Sequence, residues 1–313
     1  MSNSINPVSS NPVSQTREPD SGYVGRFAPS PTGPLHFGSV IAAVASYIDA
    51  RANQGRWLVR MEDLDPPREP PGAAANILRQ LTQLGLQWDG EVLYQSQRLE
   101  TYTLALQELI DNDLCFRCDC SRSKIKSSGS IYDGACRHRA SPPEQEYAVR
   151  IKTQDTLIEF QDLIQGVHRQ NLDTEVGDFI ILRKDKLFAY QLAVVVDDEY
   201  QGITHVVRGF DLLDSTPRQV YLQQLLNYTT PCYGHIPVIV NASGDKLSKQ
   251  SFAPSADAEN ASHLIFQCLA LLGQAPPADL LNSDPDSQLR WGIEHWDIQA
   301  VPKLAKLPQE LSK

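Results

Sequence analysis

Short apolar runs and helical periods alternate along this chain. Tyr23 to Ala28 (YVGRFA) reads as a brief buried strand, and the Pro/Gly-rich segment PSPTGPLH follows it. Val40, Ile41, Val44, Ile48 and Ala52 then recur at helical spacing, with Gly55 as the stop. Arg56 to Met61 (RWLVRM) reads as a second strand. The opening is therefore a strand–helix–strand unit, the start of a parallel Rossmann-like sheet. Residues 72–86 and 96–112 carry two further helical patterns, and strand-like YAVRIK (147–152) and LIEFQDLI (157–164) come after a cysteine-rich stretch. The rhythm breaks over about 114–187, which reads as an insertion. It resumes with LAVVVDD (192–198), THVVRG (204–209), a helix near 216–228 and IPVIVN (236–241). Beyond Pro254 the pattern is helical, as in HLIFQCLALLG (263–273). The expected fold is α/β. A parallel-sheet domain over 22–113 and 188–252 is interrupted by an α+β lobe over 114–187, and a short helical region over 253–313 closes the chain.

Composition narrows the classes. The chain has 313 residues, 41% of them hydrophobic, enough for a sizeable core. Residues 1–21 are polar and rich in Ser, Asn and Pro, without a signal peptide's apolar centre, and read as a disordered tail. No run of 18 apolar residues occurs, so no membrane span is expected. A cytoplasmic protein with reduced cysteines follows. The net charge of -10 argues against a general nucleic-acid coat. Between Arg117 and Lys152, however, eight basic residues meet four acidic ones, and that local +4 fits a confined RNA contact.

Two segments carry candidate chemistry. Arg26–Ser39 (RFAPSPTGPLHFGS) sets Thr32, Gly33, His36 and Gly38 between a strand's carboxyl end and a helix's amino end. Open α/β sheets bind ligands there, and helix N–H groups attract phosphate. His36 can donate to a phosphate oxygen. Lys246–Gln250 (KLSKQ) follows a strand and a turn, and its two lysines could clamp departing pyrophosphate.

Together, and in this order, these segments resemble the HIGH and KMSKS signatures of class I aminoacyl-tRNA synthetases. RFAPSPTGPLHFG, RMEDLD, YQLAVVVDD, GITHVVRG and DLLDSTPRQ are similar to catalytic segments of the glutamyl-tRNA synthetase family, from about Gly22 to Phe252. The resemblance implies ATP, accompanied by Mg²⁺, as the substrate that activates L-glutamate. His36, Ser39, Lys246 and Lys249 would be catalytic, and Thr32, Gly33, His36, Gly38 and Lys249 would bind ATP. Glutamate has two carboxylates and one ammonium, so its pocket needs cationic groups and an anionic one. The resemblance assigns it Arg26, Phe27, Ala28, Pro29, Ser30, Glu62, Tyr190 and Arg208. Asp63 and Asp65 read as turn or capping groups.

Cys118, Cys120 and Cys136 would supply three thiolates to a structural zinc, with Tyr132, His138 or Cys115 as fourth ligand. Ordinary zinc chemistry favours His138 or Cys115. The resemblance points to Tyr132, through the C-x-C…Y-x-x-x-C pattern of the family's short glutamyl-Q branch. Cys115, Cys232 and Cys268 would then be ordinary buried residues. Only 63 residues follow KLSKQ, fewer than full-length glutamyl-tRNA synthetases carry. The short branch implies a monomer that transfers glutamate to queuosine in tRNA(Asp). The alternatives are ordinary charging of a tRNA 3′ end and a non-catalytic RNA-binding paralogue.

Overall fold

The computed structural model describes residues 22–127, 131–139, 141, 143–241 and 261–309. The expected disordered tail (1–21) and the KLSKQ loop lie outside the described residues.

The predicted opening unit is present. Strand β1 (Val24–Phe27) leads to helix α1 (Phe37–Ala52) and strand β2 (Arg56–Met61). β1 and β2 pair in parallel, with Arg26 opposite Leu58. Helices α2 (Ala73–Gln83) and α3 (Leu99–Asp111) flank strand β3 (Leu93–Tyr94), which extends the sheet beyond β2. Trp57, Val59 and Met61 join the core cluster that holds α1 and α2, whereas Leu58 joins the cluster that holds α3. A strand whose alternate residues enter two cores is covered on both faces, as parallel sheets require.

The middle stretch divides between two sheets. Strands β4 (Cys115–Cys118) and β5 (Ala148–Ile151) pair antiparallel, with the short helix α4 (Arg122–Ser127) between them in sequence. Strands β6 (Leu157–Asp162) and β7 (Gly166–Asn171) form a hairpin. Helix α5 (Leu172–Glu175) leads to β8 (Ile180–Leu182), which returns to pair with β5.

The LAVVVDD run is helical: α6 (Tyr190–Tyr200) buries every residue from Leu192 to Asp198. An apolar run this dense has no polar face to betray its period. Strand β9 (His205–Gly209), helix α7 (Thr216–Leu225) and strand β10 (Cys232–Ile236) follow. β10 pairs in parallel with β9 and with β6, so the hairpin extends the main sheet in the order β7-β6-β10-β9. The amide of Thr204 donates to the Val24 carbonyl at 2.9 Å, and the Val24 amide to the Thr204 hydroxyl at 2.8 Å, joining β9 to β1.

The C-terminal region is helical and more. Strand β11 (Val238–Val240) is followed by helices α8 (Ala261–Leu271) and α9 (Pro285–Glu294), then by β12 (Lys306–Pro308), which pairs in parallel with β11. α8 and α9 share the core of α1. A Cβ on Gly292 would stand 2.8 Å from Leu269 and 2.9 Å from Ile48, so only glycine allows this approach. Among the described residues, no helix is long and apolar enough to cross a membrane.

One buried charge cluster ties these elements together. Asp198 on α6 accepts from Arg26 of β1 at 3.2 and 3.3 Å and from Arg60 of β2 at 2.8 Å. Removing one partner from such a cluster leaves uncompensated charge in the interior. Asp198→Ala is therefore expected to lower the unfolding free energy by about 3–5 kcal/mol, measurable by urea denaturation. A loss under about 1 kcal/mol would show that the two arginines do not need their shared partner.

Candidate active site and metal centre

A cavity of about 470 Å³ opens at the carboxyl ends of β1, β2 and β9, against the amino end of α1. His36 is the N-cap of α1, and no acidic residue stands in that helix's first turn. The helix dipole therefore meets the cavity without an opposing carboxylate. The Ser39 amide donates to His36 Nδ1 at 3.2 Å, and His36 Nε2 lies 3.2 Å from the Ser39 hydroxyl. The neutral tautomer that satisfies both contacts carries its proton on Nε2. Gly33 has φ +143°, which side chains rarely adopt, and a Cβ on Gly38 would come within 3.1 Å of the His36 ring. Gly38 thus makes room for an imidazole, beyond any room it leaves for a ligand.

Thr32, Gly33, His36, Gly38 and Ser39 all line this cavity. So do Arg26, Phe27, Ala28, Pro29 and Ser30, and, from more distant elements, Glu62, Tyr190 and Arg208. Lys246 and Lys249 lie outside the described residues.

The charges inside are unequal. Arg26 and Arg208 are each 4% exposed. Arg26 is balanced by Asp198. Arg208 instead meets neutral groups: Nε donates to His235 at 3.0 Å, Nη1 to Tyr190 at 3.4 Å, and Nη2 to the Thr216 hydroxyl at 2.8 Å and the Leu212 carbonyl at 3.3 Å. Among the described residues, no acid pairs with it. Burial raises the Glu62 carboxyl above the usual range, while Arg60 and Arg26 pull it back. Burial likewise disfavours the charge on Asp198, but Arg26 and Arg60 outweigh it and hold the carboxyl low. On Arg60 burial is again the opposing force, overcome by Asp198 and Glu62.

Sequence reading missed Arg60, Asp198 and His235. Arg60 left a faint trace as a charge amid the apolar residues of RWLVRM, and Asp198 as the end of VVVDD. His235 left none. Asp63 accepts from the amide and hydroxyl of Ser96, 33 residues away, at 2.9 and 2.6 Å, and so ties two segments together; Asp65 pairs locally with Arg68 and, at 3.3 Å, with the distant Arg183.

A second cluster lies where β4 ends. The sulfurs of Cys118, Cys120 and Cys136 fall within 4.8 Å of one another, all buried. Tyr132 joins them: its hydroxyl is 3.5 Å from Cys118 Sγ and 3.9 Å from Cys120 Sγ, and the Cys120 and Cys136 sulfurs are 3.5 Å apart. A zinc tetrahedron with ordinary Zn–S and Zn–O bonds has edges of about 3.5–3.8 Å, and these three distances are compatible with one. The Cys136 amide donates to the Tyr132 oxygen at 2.9 Å, which favours that oxygen as an electron-rich ligand. Arg150 lies over the Tyr132 ring, 4.2 Å from its centroid. Cys115 packs in a different core, where burial pushes its thiol up to about 11, and His138 is exposed. Neither joins the cluster. Cys268 is buried as expected, but Cys232 is only partly so.

The family described as tRNA synthetases class I (E and Q), catalytic domain, matches residues 23–279. A glutamyl-Q tRNA(Asp) synthetase of Pseudomonas aeruginosa is 51% identical over 290 residues, 93% of this chain and 99% of that one. One from Thiobacillus denitrificans is 52% identical over 285 residues, 89% of this chain and 95% of its own. Among solved structures, a glutamate tRNA ligase from Elizabethkingia meningosepticum, in complex with its amino acid, superposes with a TM-score of 0.76 at 27% identity. It covers 91% of this chain and 67% of that one.

Proposed function

Since the chain belongs to the class I (E and Q) tRNA synthetases, we propose that it activates glutamate with ATP and transfers the glutamyl group to queuosine in tRNA(Asp). The observation that carries this is the meeting of Arg26, Glu62, Tyr190 and Arg208 with the amino end of α1 in one cavity. Relatives of matching length that bear the glutamyl-Q name favour queuosine over a tRNA 3′ end.

In the first step a glutamate carboxylate oxygen bonds to the α-phosphorus of ATP. The bond from that phosphorus to the bridging oxygen breaks, and pyrophosphate leaves. The attacking group is already an anion, so no protein base is required, and the protein's part is positioning and charge stabilisation. The α1 N–H groups and the His36–Ser39 pair, in which Nε2–H meets the Ser39 hydroxyl, face the charge that develops on phosphate, with Thr32, Gly33 and Gly38 shaping the approach. Ser39 orients His36. Lys246 and Lys249 are assigned to the departing pyrophosphate on the resemblance alone, and Mg²⁺ arrives with ATP. Arg208, a buried cation with no acidic partner among the described residues, takes a glutamate carboxylate. Glu62 takes the ammonium, and Arg26 with Phe27 to Ser30 forms the wall behind them. In the second step a hydroxyl of the queuosine cyclopentenediol attacks the activated carbonyl, its proton is lost, and AMP departs.

The fit of Cys118, Cys120, Tyr132 and Cys136 to a tetrahedral ion supports a structural zinc in the inserted lobe. That zinc would staple the long connection between β4 and β5. Arg117 and Lys186, both exposed, lie over the Tyr147 ring at 4.8 and 4.1 Å, a cationic aromatic surface suited to RNA. Arg183 connects this lobe to Asp65, three residues from Glu62. Action as a monomer in the cytoplasm belongs to the same proposal.

Three outcomes are expected. Glutamate supports ATP–pyrophosphate exchange at least about a hundredfold better than glutamine, because an amide cannot neutralise a buried guanidinium; equal exchange would refute the assignment of Arg208. Metal analysis finds about one zinc per chain, lost in Cys136→Ser along with protease resistance of the 114–187 lobe; metal-free protein purified without chelator would remove the zinc reading. Radiolabelled glutamate enters tRNA(Asp) carrying queuosine, and neither the same tRNA without it nor glutamate tRNA. Labelling of a 3′ end would return the enzyme to ordinary charging.

A further inference from the structure

Three neighbouring strands set three buried side chains in a row, Arg208 in the cavity lining and the other two behind it. The parallel register of β9 and β10 places His235 opposite Arg208, and β10 runs beside β6, which ends in Asp162. Asp162 is 1% exposed and His235 fully buried.

The hydrogen bonds along this row run in one direction. Asp162 Oδ1 accepts three backbone N–H groups, from Ile164 at 3.0 Å, Gln165 at 2.8 Å and His235 at 3.2 Å. Its other oxygen, Oδ2, lies 2.5 Å from His235 Nδ1. A carboxylate only accepts, so Nδ1 carries the proton. Nε2 is then a bare lone pair; it receives the Nε–H of Arg208 at 3.0 Å, and the Thr216 hydroxyl lies 3.2 Å from it. Burial pulls the imidazole down to about 4 although Asp162 pulls the other way, so the ring is neutral at physiological pH.

We propose that Asp162 and His235 are positioning residues for substrate binding: Asp162 selects the His235 tautomer that orients Arg208, and the neutral ring leaves Arg208's charge for a substrate carboxylate. The proposal rests on the reading of Arg208 as a glutamate-binding group. The chemistry of the alternatives explains the choice. A carboxylate in place of His235 would orient the guanidinium but also neutralise it. An apolar side chain would spare the charge but leave a buried N–H unsatisfied and the fork free to turn. A neutral acceptor locked in one tautomer orients without neutralising. The Thr216 hydroxyl and the Leu212 carbonyl treat Nη2 in the same way.

Asp162→Asn tests this with almost no change of volume. The three backbone amides keep an oxygen at Oδ1, so the new NH₂ faces Nδ1. The ring must then move its proton to Nε2, setting donor against donor at Arg208. A wrongly held tautomer of this kind is damaging in hydrolytic triads, where the geometry otherwise survives. In ATP–pyrophosphate exchange, Asp162→Asn and His235→Leu are expected to raise the glutamate KM at least about tenfold, the scale for losing an orienting partner. The ATP KM stays within about twofold. His235→Gln, whose amide can accept from Arg208 and donate to Asp162, stays within about threefold of the unaltered glutamate KM by the same reasoning. Nitrogen NMR of the imidazole should find the proton on Nδ1 in the unaltered protein and on Nε2 in Asp162→Asn. A folded Asp162→Asn or His235→Leu protein with the original glutamate KM overturns the proposal, as does His235→Gln failing as badly as His235→Leu. Unaltered protein that cannot exchange with glutamate would instead remove the reading of the cavity on which the proposal stands.

Discussion

Two guanidinium groups share one carboxylate at the centre of this protein. Arg26 and Arg60 stand on adjacent parallel strands, and Asp198 reaches them from the helix that crosses above. None of the three is more than 4% exposed, so each ion depends on the others for the solvation it has lost. The cluster sets β1, β2 and α6 relative to one another. The same elements carry Arg26, Glu62 and Tyr190 to the cavity, so the interaction that orders the interior also fixes that wall of the cavity.

Against that balanced cluster, the rest of the cavity is left electrically incomplete. α1 presents its amino end with no acid in the first turn, and Arg208 is held by neutral acceptors. Both are positive potentials fixed in place before a ligand arrives. Fixed dipoles and charges in a dry site need little reorganisation as a reaction proceeds, which is where electrostatic catalysis gains most. A protein that paired every buried cation internally would be easier to fold and would bind anions poorly.

The middle of the chain serves two ends. Its hairpin, β6 and β7, belongs to the main sheet and delivers Asp162 behind Arg208. Its other half gathers Cys118, Cys120, Tyr132 and Cys136 around a long irregular connection that has little core of its own. A segment of that kind gains order from a metal staple more readily than from apolar burial. The cation–aromatic surface of Arg117, Tyr147 and Lys186 sits on the same half.

Short-range features were legible in the residues themselves. The strand–helix–strand opening, the cavity loop from Arg26 to Ser39 and the Cys118–Cys136 cluster each depend on spacing within a few tens of residues. Periodicity and covalent proximity express such features directly. Five other features depended on tertiary structure. The run 192–198 became a helix because it is buried on every side, which erases the period that would have announced it. The hairpin joined the main sheet, and β12 reached back to β11 across more than sixty residues, through pairings that leave no local pattern. Tyr132, rather than His138 or Cys115, meets the three thiols because folding buries it among them and leaves the others elsewhere. Asp162, His235 and Arg208 stand 73 and 27 residues apart in the chain and within hydrogen-bond reach in space. Side chains so far separated become neighbours only through strand order and register, which the whole fold decides.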